Sequence, residues 1–142
     1  MRIIHVLPVL AATLAAGRNL LIGTTEGCGS NKYGPDWYVW YDDMPNCAGK
    51  DIGPVNSYLN YGICDRRTML NGTSVSFTGC THRHEPFGQG GPPTGALEDG
   101  GRTSLLCVPA NFPPKKCPSP CRGNPPVTVT TNYICVPRDC SA

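Results

Sequence analysis

Cys80-Thr81-His82-Arg83-His84-Glu85 is the one cluster of candidate metal ligands in this chain. On a strand, alternate residues share a face, so His82 and His84 would project together, and a His-x-His pair beside a carboxylate suits a divalent cation. The remaining histidine, His5, lies in an apolar leader, so the expected mature chain has no third histidine ligand. His82 and His84 are therefore a weak alternative as a metal site, and no cofactor is expected. Cys80, beside them, is a candidate for an unpaired thiol. The same stretch offers His82, Arg83 and Glu85 for general acid–base work of the ribonuclease kind. Catalytic groups usually converge from separate elements, and these are neighbours in sequence. No G-x-S-x-G nucleophile turn is present, and Glu26, Glu85, Glu98 and the Asp42-Asp43 pair are scattered through turns. The reading is of a non-enzyme, with a secreted toxin or hydrolase as an alternative.

A second kind of chemistry is carried by cysteine. Cys28, Cys47, Cys64, Cys80, Cys107, Cys117, Cys121, Cys135 and Cys140 all follow the leader. Arg2 followed by the mostly apolar run Ile3 to Ala16 reads as a signal peptide over residues 1–17, too short to span a bilayer. Export places the cysteines in an oxidising compartment, where disulfides are the default. Zinc would call for paired C-x2-C units, and no two cysteines have that spacing. Eight of the nine are expected to pair, in an order that spacing cannot choose, and the odd one could link two chains. With 17 glycines and 15 prolines the core will be thin, so disulfides matter to its stability; each that closes a long loop contributes on the order of 3 kcal/mol.

Two further features could meet a partner. Trp37, Tyr38, Trp40 and Tyr41 are the densest group of rings, and rings of this kind can stack on sugars. The preferred reading is that they are core, with a glycan or cell-wall binding module as the alternative. Asn71-Gly72-Thr73 is a glycosylation sequon in an exported chain and also an Asn-Gly turn.

The elements that would position these residues are mainly strands. Asp36 to Tyr41 has strand residue types, with Trp37, Val39 and Tyr41 on one face and Tyr38 and Trp40 on the other. Thr73 to Thr78 alternates cleanly, with Val75 and Phe77 inward. Arg102 to Val108 and Val127 to Val136 complete the expected strands, and Val55, Tyr58 and Leu59 suit a short helix near 55–61. Residues 18–27 look like a short apolar lead into Cys28. Residues 85–101 form a glycine- and proline-rich loop whose composition is that of a spacer. Leu106-Cys107-Val108-Pro109 echoes Ile134-Cys135-Val136-Pro137, which places Cys107 and Cys135 at similar points of a sheet. The proline-flanked run to Cys117 and Cys121 should be extended and stiff, tied down by its cysteines. The fold expected is a β-rich, mainly antiparallel, disulfide-stabilised single domain over residues 18–142.

Lysine and arginine number 12 against 10 acidic residues, and loss of Arg2 with the leader leaves 11 against 10. A near-neutral chain lacks the positive field of a nucleic-acid binder. No later segment is apolar for long enough to span a membrane.

Cys28-Gly29-Ser30-Asn31-Lys32-Tyr33, Asn46-Cys47, Tyr61-Gly62-Ile63-Cys64 and the strand Val75 to Gly79 together resemble the fungal Ecp2-type secreted effectors (the Hce2 domain). That pattern opens on C-G-x-S-x-F, passes an Asp-Cys and a Y-G-x-C, and ends in a hydrophobic strand closed by glycine. Here Ser30 stands one place early, Asn46 replaces the aspartate, and the stretch from Cys47 to Cys64 is short. The resemblance covers residues 28–80 and brings no catalytic residues. It implies a secreted, non-enzymatic virulence or avirulence factor of the apoplast that binds a host protein or receptor.

Overall fold

The computed structural model describes residues 18–26, 35–55, 63–80, 92–119, 123 and 125–138. Nine strands occur among them: β1 (Leu20–Thr25), β2 (Asp36–Tyr41), β3 (Lys50–Pro54), β4 (Arg67–Leu70), β5 (Thr73–Thr78), β6 (Gly95–Glu98), β7 (Thr103–Pro109), β8 (Lys115–Cys117) and β9 (Val127–Pro137). All pairings are antiparallel and make one sheet in the order β3-β2-β1-β9-β7-β6-β5-β4, with β8 added beside β9. The end strands β3 and β4 touch, so the sheet curls into a nearly closed barrel. Closure protects edges that would otherwise be free to pair with other chains.

Residues facing the barrel axis form the main core. Leu20, Ile22, Val39, Leu70, Val75 and Leu105 are among its buried members, drawn from five different strands. In β2 the two faces separate as the alternation predicts: Trp37, Val39 and Tyr41 join this core, while Trp40, with Tyr38 against it, belongs to a second cluster. That second cluster (Leu21, Trp40, Cys117, Val127, Val129) lies on the outer face of β1, β2 and β9. Lys115 sits over the Trp40 ring, 4.8 Å from its centroid.

β1 departs from the sequence expectation. The apolar lead of residues 18–27 contains an interior strand with a partner on each side, β2 and β9. The run Leu20-Leu21-Ile22 is apolar on both faces because both faces are covered, the inner by the barrel core and the outer by the second cluster. β9 carries an extra residue opposite β1, where Ile22 faces Tyr133 but Gly23 faces Thr131. At this bulge the backbones crowd, and a Cβ on Gly23 would lie 2.1 Å from the Thr130 carbonyl oxygen.

A second departure lies in the glycine- and proline-rich stretch. Gly95–Glu98 is an interior strand between β5 and β7, so the end of that stretch is sheet and not spacer. Gly95 fits because a Cβ there would come 2.7 Å from Thr78 Oγ1. Asp99, Gly100 and Gly101 all have positive φ and turn the chain tightly into β7. The part of the stretch at 85–91 lies outside the described residues, as does most of the expected helix near 55–61; no α-helix occurs among the described residues.

Among the described residues three disulfides tie the sheet: Cys47–Cys117, Cys64–Cys80 and Cys107–Cys135. Cys107 and Cys135 stand directly opposite in the β7–β9 ladder, so their echoed surroundings do mark similar points of a sheet, and the bond between them is found by the structure. Cys80 is bonded to Cys64, so it is not the unpaired thiol. Cys117, in the proline-flanked connector, is bonded to Cys47 and carried on β8. Cys28, Cys121 and Cys140 lie outside the described residues.

Candidate functional site

The outer face of β2 builds a site from residues that alternate along one strand. Asp36, Tyr38 and Trp40 share this face, and the register places Thr25 of β1 opposite Asp36 and Asp51 of β3 opposite Tyr38. Beyond Trp40 the chain turns through Asp42 to Cys47, and the Cys47–Cys117 disulfide bridges this turn to β8. Beneath the bridge is a partly open cavity of about 160 Å³. Its walls include Thr25, Tyr38, Asp51, Val127 and Val129 as well as the disulfide. Gly49 also lines it, where a Cβ would come 2.7 Å from the Tyr38 ring.

The polar groups at the cavity are unevenly satisfied. Asp51 accepts the Gly53 amide at 3.0 Å and is hydrogen-bonded to Asp36. Burial, then the hydrogen bond to Asp51 and its charge, push the Asp36 carboxyl up to about 7, against a smaller opposing pull from Arg66. Burial likewise raises the Tyr38 phenol. Thr25 is buried, and its Oγ1 has no hydrogen-bond partner although the residue lines the cavity. A buried hydroxyl in that condition is uncommon and costs free energy.

Arg66 works at the seam of the barrel. It immediately precedes β4, yet its guanidinium donates to the carbonyls of Ile52 and, at 2.7 Å, of Pro54 on β3. One side chain thus bridges the sheet's two end strands beside the carboxyl pair.

At the other end of the barrel, Tyr41 of β2 donates its hydroxyl to Glu98 of β6, and Arg18 lies 3.8 Å over the Tyr41 ring while donating to Thr73 Oγ1 at 2.9 Å. Burial, then Glu98, raises the Tyr41 phenol far above its ordinary range, so it is a fixed hydroxyl donor. This cluster ties across the barrel.

The aromatic group read as a possible sugar platform is not displayed. Trp37, Trp40 and Tyr41 are buried, and Tyr38 alone of the four is half-exposed. The rings are core on both faces of β2 because the β8 segment covers the outer one. His82, His84, Arg83 and Glu85 lie outside the described residues. Among the described residues no group of three or more His, Cys, Asp and Glu is placed to hold a metal ion, and no helix is long and apolar enough to cross a membrane. Asn71 is exposed at the tip of the β4–β5 hairpin, where it and Gly72 both have positive φ, the geometry an Asn-Gly turn adopts between strands.

A different surface is apolar and open. Leu106 and Val108 are each 39% exposed on the outward face of β7. Their cross-strand partners on β9 are Val136 and Ile134, which are half-buried. Directly between the pairs, Cys107 and Cys135 turn inward and lock the two strands together. Phe112, in the segment after β7, is also exposed.

Asp36, Asp51, Thr25 and Arg66 were not singled out as site residues by sequence. Their signal is tertiary: Asp36 and Asp51 meet only because β2 and β3 pair, and Thr25 joins them through a strand that reads as a lead-in. No protein-family model, curated protein or solved structure matches this chain.

Proposed function

We propose that this chain is a secreted, non-enzymatic effector of the kind fungi release against plant hosts, acting in the apoplast by binding a host protein or receptor. The observation that carries this reading is the outward apolar strip of Leu106, Val108, Ile134 and Val136 on disulfide-locked strands. Exposed apolar side chains grouped on one rigid sheet face are a common feature of protein-binding surfaces. Because the backbone beneath is fixed, little conformational entropy would be lost when a partner covers it. The leader over residues 1–17, the cysteine content and the resemblance of residues 28–80 to Ecp2-type effectors support the same assignment. A glycan at Asn71 would stand on the β4–β5 tip, on strands separate from β7 and β9.

The test uses protein recovered from culture medium after expression with its own leader, applied to the outside of plant tissue. Wild type is expected to alter the defence or cell-death response, and the double variant Leu106→Asp/Val108→Asp to lose that effect while keeping its melting temperature and disulfides. Retention of the protein inside the cell, or full activity of the folded double variant, overturns the proposal.

A further inference from the structure

The cavity under the Cys47–Cys117 bridge has a chemistry that points to a ligand, independently of the effector reading. Its volume of about 160 Å³ is close to that of an apolar protein cavity, ~150 Å³, that accommodates a benzene ring. Val127 and Val129 give it an apolar wall, and Tyr38 adds an aromatic ring. The polar side is acidic: Asp51 lines the space and Asp36 is hydrogen-bonded behind it. Thr25 Oγ1 is a buried acceptor left without a donor.

Asp51 is the one charged side chain among the residues lining the cavity, and other charges stand around it. Arg66, leading into β4, acts on Asp36 but donates to the β3 carbonyls of Ile52 and Pro54. On β8, Lys115 sits over Trp40 and Lys116 bonds the Thr128 hydroxyl. Glu26, after β1, accepts the Thr128 amide. Burial first, then Asp51, holds the Asp36 carboxyl protonated up to about 7, with Arg66 opposing. Inside the cavity an anion would meet the Asp51 carboxylate, and a neutral ligand would gain no charge attraction from it. A cation gains that attraction and can also rest against the Tyr38 ring.

We propose that this cavity binds a small primary ammonium compound of roughly six to eight heavy atoms, its charged end at Asp51, Tyr38 and Thr25 Oγ1 and its apolar end against Val127 and Val129. The ammonium donates to the Asp51 carboxylate and to Thr25 Oγ1. No covalent bond changes. As the cation enters, the neighbouring Asp36 carboxyl loses its proton to solvent, so binding releases up to one proton below neutrality and none well above it.

Benzylamine is the probe, with benzyl alcohol and benzoate as neutral and anionic counterparts, each titrated into the full mature protein at pH 6 and pH 8. Benzylamine alone is expected to shift the amide resonances of Thr25, Tyr38, Val127 and Val129 saturably. Its affinity should rise by up to about tenfold per pH unit below neutrality, with proton release seen as buffer-dependent heat at pH 6. Asp51→Asn keeps an acceptor for the Gly53 amide and should weaken binding by about tenfold or more. Val127→Phe, which fills the space, should abolish binding with the fold retained, and it decides the matter if Asp51→Asn does not fold. Absence of saturable shifts at millimolar benzylamine, or equal binding of benzyl alcohol, overturns the proposal. Neither outcome bears on the apolar strip of β7 and β9.

Discussion

Asp36 holds a proton that the unfolded chain has lost over much of the acid range. An ordinary aspartate ionises near pH 4, whereas burial and the Asp51 hydrogen bond keep the folded Asp36 carboxyl protonated up to about 7. In that window the native state binds more protons than the unfolded one, so this group's contribution to stability falls as pH rises from about 4 to about 7 and then levels off. Asp36→Asn keeps a neutral side chain at every pH. Its urea midpoint relative to wild type should climb between about pH 4.5 and 7.5, and a constant difference would show that Asp36 titrates normally. Gly23 makes the opposite kind of demand, for space. A methyl there meets the Thr130 carbonyl oxygen at the β9 bulge, so Gly23→Ala must push β1 from β9. A loss of roughly 3 kcal/mol by chemical denaturation is expected, at the upper end of ordinary overpacking.

At the scale of elements, the barrel is only as closed as its seam. β3 and β4 share no ladder, and Arg66 reaches from one to the carbonyls of the other. Arg66→Met keeps much of the stem and removes the donors. Amide exchange should then quicken in Lys50–Pro54 and Arg67–Leu70, while the β1–β9 amides stay protected. Uniform loss of protection would mean instead that Arg66 supports the whole fold. The strands legible in sequence are those with a period or a composition to read: β2 with its rings, the alternating β5, β7, and the β-branched β9. β3, Lys50-Asp51-Ile52-Gly53-Pro54, and β4, Arg67-Thr68-Met69-Leu70, are too short and mixed for periodicity. β6 is hidden among glycines, one of which is required by packing against Thr78. The site fared worse for the same reason. Tyr38 was visible as an aromatic, but its partners Thr25 and Asp51 come from strands that composition conceals.

For the whole molecule, the disulfides narrow an arithmetic problem. Six cysteines pair among themselves, and nine less six leaves Cys28, Cys121 and Cys140. Three cysteines cannot all pair within one chain, so the odd sulfur belongs to this set. Alkylation of the non-reduced protein in denaturant should label one or more of these three or find one in a disulfide-linked dimer. It should leave Cys47, Cys64, Cys80, Cys107, Cys117 and Cys135 unlabelled. Label on any of those six contradicts the pairing. Of the three bonds, Cys47–Cys117 spans the longest stretch, 70 residues, for which chain entropy alone gives about 4 kcal/mol. Because it also roofs the cavity, its reduction should loosen the outer cluster around Trp40 before the barrel interior.

The placement of β1 has a consequence for the order of events during synthesis. Leu20 pairs with Tyr41 on one side and with Cys135 on the other, so an interior strand near the start of the chain waits for the strand nearest its end. Contacts across so long a stretch are formed late and slowly. The sheet cannot be completed while the last strand is still being made, and the chain emerges with β1 half-partnered. If the chain is exported as proposed, such wiring suits its passage, since a translocation channel takes the polypeptide unfolded and early closure would jam it. Chains halted before Val127 should accordingly remain protease-sensitive throughout, and release of the remaining residues should bring protection of β1 and β9 together.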